Sequence, residues 1–135
     1  MKDGALNGHM TAVRARRFYA GLVSCAVLFI VAGILHFLFP GLYLRIIPPF
    51  FPWPRILLRI SGAAEIAGGL GLLLARFRRA AAYGLVLLLV AVFPANIYMA
   101  VAHVSFPGLM GESWVQWLRL PLQIPLVLWA WYYTK

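Results

Sequence analysis

Residues 18–39 read FYAGLVSCAVLFIVAGILHFLF, an apolar run in which His36 is the only strongly polar side chain. A helix of this length extends about 33 Å, and the hydrocarbon core of a bilayer is about 30 Å thick. Pro40-Gly41 ends the run, and a basic segment precedes it. The stretch therefore predicts a transmembrane helix. Its sole cysteine, Cys25, is expected to be a small buried residue rather than half of a disulfide.

Three further apolar runs follow, at residues 55–75, 80–102 and 114–133, each long enough to cross a bilayer. The composition agrees, with 64% hydrophobic residues, 11% charged residues and a mean hydropathy of +0.88. Soluble domains carry about 25% charged residues. The sequence predicts an all-α integral membrane four-helix bundle. We expect residues 14–135 to form its single domain and residues 1–13 to be a disordered N-terminal tail.

The segment between the first two runs, residues 41–54, reads GLYLRIIPPFFPWP. Its prolines exclude a regular helix through its second half, because proline lacks the backbone N–H that a helix needs. Its aromatic side chains favour the headgroup region of a membrane. We therefore expect an interfacial loop rich in proline and aromatic residues between helices 1 and 2.

Basic residues dominate the charge, with 12 Lys and Arg against 3 Asp and Glu and a net charge of +9. Many of them flank apolar runs, in the N-terminal segment and at residues 76–79, as positive-inside anchors do. We expect a multi-pass protein of the cytoplasmic (plasma) membrane with both termini in the cytoplasm. Little polar surface remains to contact a phosphate backbone, so nucleic acid is not an expected partner.

Small residues recur at four-residue spacing in the second run, as Ala63, Ala67 and Gly71 and separately as Ala64 and Gly68. Small side chains at this spacing allow two helix backbones to approach closely in a membrane. The pattern predicts that the second span lies at the centre of the bundle.

Polar side chains within the predicted spans are expected to face the interior of the bundle, because they are costly in lipid. Ser61 and Glu65 are four residues apart and share a helix face, as do Arg119 and Gln123 in the last run. Every span contributes at least one such residue. The candidate ligand-binding residues are His36, Ser61, Glu65, Asn96, Arg119 and Gln123.

Two interpretations of this polar set stay open. Either it forms a ligand pocket, or Glu65 and Arg119 form a structural ion pair whose hydrogen bonds the neighbouring amides complete. Haem ligation by His36 and His103, or a metal site that adds Glu65, is a weaker alternative because the spacing is not specific. No nucleotide-binding loop, nucleophile elbow or zinc motif occurs in the sequence, so no catalytic residue is assigned.

Four segments of the chain resemble the DoxX-like family of small four-helix bacterial membrane proteins. They cover most of the sequence between the first and the last predicted span. The segments are AGILHFLFPGLYLRIIPP (32–49), ISGAAEIAGGLGLLL (60–74), VFPANIYMA (92–100) and WLRLPLQIPL (117–126).

The most specific elements of this resemblance are an SGxxE segment with Ser61 and Glu65, a PAN segment with Asn96, and an RxPxQ segment with Arg119 and Gln123. These elements largely coincide with the polar residues selected above. The family's namesake association is with a membrane subunit of an archaeal thiosulfate:quinone oxidoreductase. Other relatives resemble partners of redox proteins or membrane chaperones. The resemblance thus implies a membrane subunit near quinone chemistry.

We therefore expect a membrane subunit that binds a quinone or another lipophile in a polar intramembrane pocket and supports a redox protein partner. The chain has no dithiol pair, flavin site or soluble catalytic domain, so catalysis by the chain alone is not expected. A non-catalytic membrane scaffold or assembly factor with a structural polar core is the alternative. The sequence leaves open whether the chain forms a homodimer.

Overall fold

The computed structural model describes residues 2–104, 108 and 112–135, with side chains from residue 10 onward. In this part of the chain the regular elements are helices, so the all-α prediction is confirmed. In chain order they are α1 (Lys2–Leu38), α2 (Pro40–Leu44), α3 (Pro54–Leu73), α4 (Arg78–Val101) and α5 (Ser113–Tyr132).

Three helices are long and apolar enough to cross a membrane: Met10–Leu38 within α1, then α3 and α4. Large apolar side chains cover their outer surfaces; Leu87, for example, is 69% exposed and Ile60 59% exposed. A surface of this kind would aggregate in water but is solvated by lipid tails. These are the features of a membrane protein. The helix α5 falls outside this group.

Two segments are more helical than the sequence predicted. Residues 2–13 continue α1, although they were expected to form a disordered tail. Extending an existing helix adds one hydrogen bond per residue without a new nucleation step, and good helix formers such as Ala12 favour this extension. The first part of the interfacial loop forms α2, which Pro40 starts at a position where its missing N–H costs nothing. The loop is irregular only after Leu44.

The helix α3 lies in the middle of the bundle, as predicted, because it packs against α1, α2 and α4, and α4 in turn packs against α5. A core of buried apolar side chains joins all four long helices, including Phe29 of α1, Leu72 of α3, Leu85 of α4 and Ala130 of α5. Cys25 is fully buried in this core, which confirms its predicted role as a small apolar residue.

Helices α1 and α3 approach closely at Gly62. A Cβ atom on Gly62 would lie 2.8 Å from the Cβ atom of His36, which is closer than van der Waals contact allows. The backbone contact therefore depends on glycine, and it brings the last turn of α1 against the third turn of α3. This packing holds His36 beside the polar side chains of α3.

Aromatic and basic side chains gather at the opposite end of the bundle. The ring of Phe18 in α1 lies 5.5 Å from the ring of Tyr133, just after α5. The guanidinium of Arg78, at the start of α4, lies 5.7 Å from the same Phe18 ring. Arg78 also donates a hydrogen bond of 3.0 Å to the carbonyl of Leu72 near the end of α3. At this end of the bundle, these contacts therefore connect all four long helices.

Candidate functional site

His36 and Glu65 lie against each other between α1 and α3. His36 Nδ1 lies 3.2 Å from Glu65 Oε2, and each side chain is only 13% exposed. The close approach of α1 and α3 at Gly62 brings the two residues together. Two of the predicted site residues, from two different helices, are therefore in direct contact.

The proton of His36 is directed away from Glu65. Nδ1 lies 2.8 Å from the backbone carbonyl oxygen of Ala32, and because a carbonyl only accepts hydrogen bonds, Nδ1 must donate this one. Glu65 Oε2 is fully buried and has no hydrogen-bond partner among the described residues, despite its short distance to the imidazole. The carboxyl group therefore offers a buried acceptor that a donor from a ligand can satisfy.

Tyr43 of α2 covers His36. The two rings are stacked, with their centroids 4.0 Å apart and their planes at 28°. Burial raises the pKa of the Tyr43 hydroxyl above its ordinary value, the Glu65 carboxylate raises it further, and the Arg119 guanidinium acts in the opposite direction. Tyr43 therefore stays a neutral hydroxyl at physiological pH. Its environment also indicates that groups from α3 and α5 lie near this end of α2.

Two further predicted site residues bond elsewhere. Arg119 Nη1 contacts the sulfur of Met99 at 3.7 Å, which links α5 to α4. The ion pair between Glu65 and Arg119 that the sequence suggested stays a prediction. Ser61 donates a hydrogen bond of 2.9 Å to the carbonyl of Leu58 in its own helix, so its hydroxyl is committed locally.

Asn96 and Gln123 form a second polar group between α4 and α5. Asn96 Nδ2 donates a hydrogen bond of 2.7 Å to Gln123 Oε1. Gln123 Nε2 in turn donates a short hydrogen bond to the carbonyl of Leu89. This carbonyl lies near the middle of α4, one turn before Pro94. The two amides therefore satisfy each other and fasten α5 to α4.

A cavity of about 440 Å³ adjoins the first polar group, between the end of α1, the helix α2 and the start of α3. Its lining combines the imidazole of His36 with apolar residues such as Leu44 and Leu58 and with the arginines Arg55 and Arg59. Cavities that bind small molecules have volumes of about 300–1,000 Å³ and a few polar groups in a mostly apolar wall. The cavity has the size and chemistry of a ligand site.

Sequence reasoning missed Tyr43, Met99 and Gln116 as contributors to the polar interior. Gln116 is 1% exposed and donates a hydrogen bond of 2.7 Å to the carbonyl of Val104. Its position one helical turn from Arg119 was the signal that could have included it. Tyr43 carried no such signal, because its contact depends on α2 turning back over α1.

Among the described residues, no group of three His, Cys, Asp or Glu side chains is placed to share a metal ion. His103 is therefore not grouped with His36 and Glu65 in the structure. His103 lies just beyond α4, with a left-handed backbone conformation at φ 48°.

Comparison with known proteins gives one match. No curated protein and no solved structure matches the chain. A family model described as a domain of unknown function, DUF8561, matches residues 25–134, a range that includes all six predicted site residues and the cavity. The chain therefore belongs to the DUF8561 family.

Proposed function

We propose that this chain is a multi-pass plasma-membrane subunit that binds a quinone or a similar lipophile between its helices. The observation that carries the proposal is the buried Glu65 Oε2, which lacks a hydrogen-bond donor and lies beside the His36 imidazole. Unsatisfied buried acceptors are rare in proteins and often mark a site where another molecule binds. A hydroxyl group of a reduced quinone is a donor of the required kind.

The cavity next to His36 offers the space that such a ligand needs. Its apolar wall suits a hydrophobic ring or chain, and the neutral hydroxyl of Tyr43 can donate a hydrogen bond to a carbonyl oxygen. Glu65 Oε2 and the second ring nitrogen of His36, Nε2, can accept a proton as the ligand changes its protonation state, whereas Nδ1 already carries the proton that it donates to Ala32. Ionisable residues within membrane helices commonly serve such proton routes.

The resemblance to the DoxX-like family supports the same proposal. It connects Ser61, Glu65, Asn96, Arg119 and Gln123 with motifs of a family that includes a quinone-linked membrane subunit. The chain holds no redox centre of its own in this proposal, so a redox protein partner supplies or receives the electrons. We do not propose catalysis by the chain alone, and a homodimer is compatible with the site.

We further propose four membrane crossings, with both termini in the cytoplasm. Phe18, Arg78 and Tyr133 lie together at one end of the bundle, so the start of the α1 span, the α3–α4 turn and the C-terminus share that end. The basic residues at 76–79 belong to the same end, and basic residues are retained in the cytoplasm. The cavity at the other end then opens toward the outer face of the membrane.

A second candidate function is a scaffold or assembly factor whose polar interior only holds the bundle together. The observation that favours it is the closed group of Asn96, Gln123 and the Leu89 carbonyl, which needs no ligand to satisfy its hydrogen bonds. This candidate accounts for the α4–α5 contact. It leaves the buried acceptor on Glu65 and the cavity beside His36 without a role.

Copurification of a lipophile separates the two candidates. The protein is purified in mild detergent, extracted with organic solvent and examined by mass spectrometry, alongside Glu65→Gln and the matched control Glu112→Gln. Glu112 is exposed at the start of α5, outside the polar interior. We expect wild type and the control each to carry roughly one quinone or isoprenoid molecule per chain. Its amount should fall about tenfold in Glu65→Gln, because the carboxylate acceptor is replaced by an amide.

Two results would contradict the proposal. Wild-type protein that carries no quinone or isoprenoid favours the scaffold. Equal ligand content in Glu65→Gln and wild type, with both proteins folded, would show that Glu65 does not bind the ligand.

A further inference from the structure

Two arginines on the wall of the cavity have a role in neither candidate function. Arg55 and Arg59 lie one helical turn apart at the start of α3, so they project from the same face, and both line the cavity. Within the described residues, neither has a hydrogen bond or an ion pair. Two permanent positive charges therefore converge on one space of about 440 Å³.

The chain itself has almost no counter-charge to offer these arginines. Its three acidic residues are Asp3, Glu65 and Glu112, and Glu65 is directed toward His36. Guanidinium groups bind phosphate and carboxylate groups through paired hydrogen bonds and stay charged at all physiological pH values. An anion that meets both arginines must come from another molecule.

The position of Arg55 and Arg59 along the membrane-spanning helix and the apolar residues of the cavity indicate which kind of anion fits. The span of α3 begins at Pro54, so Arg55 lies at the membrane boundary and Arg59 about 7 Å along the helix. Phosphate headgroups of lipids occupy this level, and Arg side chains near helix ends extend toward it. The rest of the lining includes apolar residues, among them Phe37, Leu44 and Leu58. A charged head attached to an apolar chain fits both walls.

We propose that Arg55 and Arg59 bind the phosphate group of an anionic lipid whose chains lie along the apolar wall of the cavity. The inference goes beyond quinone binding, because it depends on side chains that the proposed function does not use. The two proposals share the cavity and His36, yet they fail separately. Glu65→Gln tests the first, and substitutions of the two arginines test the second.

The test is a binding titration of delipidated protein in detergent, followed by native mass spectrometry. The probes are dioleoylphosphatidylglycerol, dioleoylglycerol, which has the same chains without the phosphate, and inorganic phosphate. We expect wild type to bind the phosphatidylglycerol at least about tenfold more tightly than dioleoylglycerol, given roughly 1 kcal/mol per Arg near a membrane surface. The double variant R55Q/R59Q should lose about tenfold or more of this affinity.

Matched variants exclude a general effect of charge or of misfolding. R76Q/R79Q removes two exposed arginines from the α3–α4 turn and the start of α4, at the other end of the bundle, and should bind phosphatidylglycerol as wild type does. R55K/R59K keeps both charges and should stay within a few-fold of wild type. Glu65→Gln should also leave phosphatidylglycerol binding unchanged, so a failure here does not involve the quinone proposal.

The outcomes distinguish a lipid site from a free-phosphate site and from a general effect of charge. Selective loss in R55Q/R59Q, with millimolar inorganic phosphate unable to displace the lipid, supports a lipid site. Inorganic phosphate that binds as tightly as the lipid would replace the lipid with a free-phosphate ligand and overturn the assignment. Equal losses in R55Q/R59Q and R76Q/R79Q, or no preference for phosphatidylglycerol over dioleoylglycerol, would also overturn it.

Discussion

Asn96 and Gln123 are bonded to each other in the interior of the bundle, and this contact predicts a measurable coupling between them. In a double-mutant cycle with Asn96→Ala and Gln123→Ala, the effects on the free energy of unfolding should be non-additive by about 0.6–2 kcal/mol. The reason is that either single substitution already removes the hydrogen bond of 2.7 Å. Unfolding in mixed micelles, followed by circular dichroism, measures the cycle.

A cycle between Asn96 and Thr134 provides the control. Thr134 lies beyond the end of α5 and bonds to the carbonyl of Trp131, far along the helix from Gln123. These two substitutions should be additive within about 0.5 kcal/mol. Coupling of the same size in both cycles would mean that the effect is not due to the Asn96–Gln123 hydrogen bond.

Sequence reasoning could identify the polar residues of the site but not their partners. Polar side chains within apolar runs are expected to face the interior of the protein, so Glu65, Asn96 and Gln123 could be identified from the sequence. Which of them meet depends on helix rotation and on distances between helices, and a single sequence does not contain either. The partner of Glu65 in the structure is His36, in the last turn of α1. Tyr43 joins them only because α2 turns back over α1.

Gly69 and Gly84 provide a direct comparison of glycine in contact and glycine in open space. A Cβ atom on Gly69 would lie 2.7 Å from the backbone oxygen of Ala26 in α1, whereas one on Gly84 of α4 would have no neighbour within 4 Å. We predict that Gly69→Ala separates α1 from α3 and destabilises the protein by about 1–3 kcal/mol. Gly84→Ala should be neutral or slightly stabilising, because alanine favours a helix more than glycine does.

Thermal unfolding of the two variants in the same detergent tests this comparison. A lower melting temperature for Gly69→Ala alone is expected. If Gly84→Ala is as destabilised as Gly69→Ala, helix approach at Gly69 is not the cause, and the α1–α3 packing described above is wrong.

The spacing of small residues predicted close packing around α3, and the structure locates it on partly different positions. Gly68 packs against Leu85 of α4, in agreement with the predicted row. In the other predicted row, Ala63 and Ala67 are exposed, whereas Gly71 is buried against Ala81 of α4. The contact with α1 instead uses glycines on another face, among them Gly62. Several small-residue rows run along this glycine-rich helix, and periodicity cannot rank them.

The helix α5 is the element whose membrane position the sequence defines least. Two glutamines, an arginine and two prolines lower its hydropathy, yet the amides face inward, with Gln116 1% exposed and Gln123 6% exposed. Its outer face is apolar, with Ile124 62% exposed and Leu128 61% exposed. Mean hydropathy averages these two faces, although lipid contacts only one of them. Gln123, near the middle of α5, also bonds to Leu89, near the middle of α4. The middles of the two helices therefore lie side by side.

A fourth crossing by α5 predicts that the C-terminus lies on the same side of the membrane as the α3–α4 turn. Single cysteines are introduced into a Cys25→Ala background as K135C, R76C and F50C, and intact cells are treated with a membrane-impermeant maleimide. We expect F50C, in the proline-rich loop, to react from outside, and K135C and R76C to react only after the cells are opened. If α5 does not cross, the chain crosses three times and K135C must react from outside together with F50C. The result thus decides whether α5 is a span, because each added crossing reverses the side on which the chain ends.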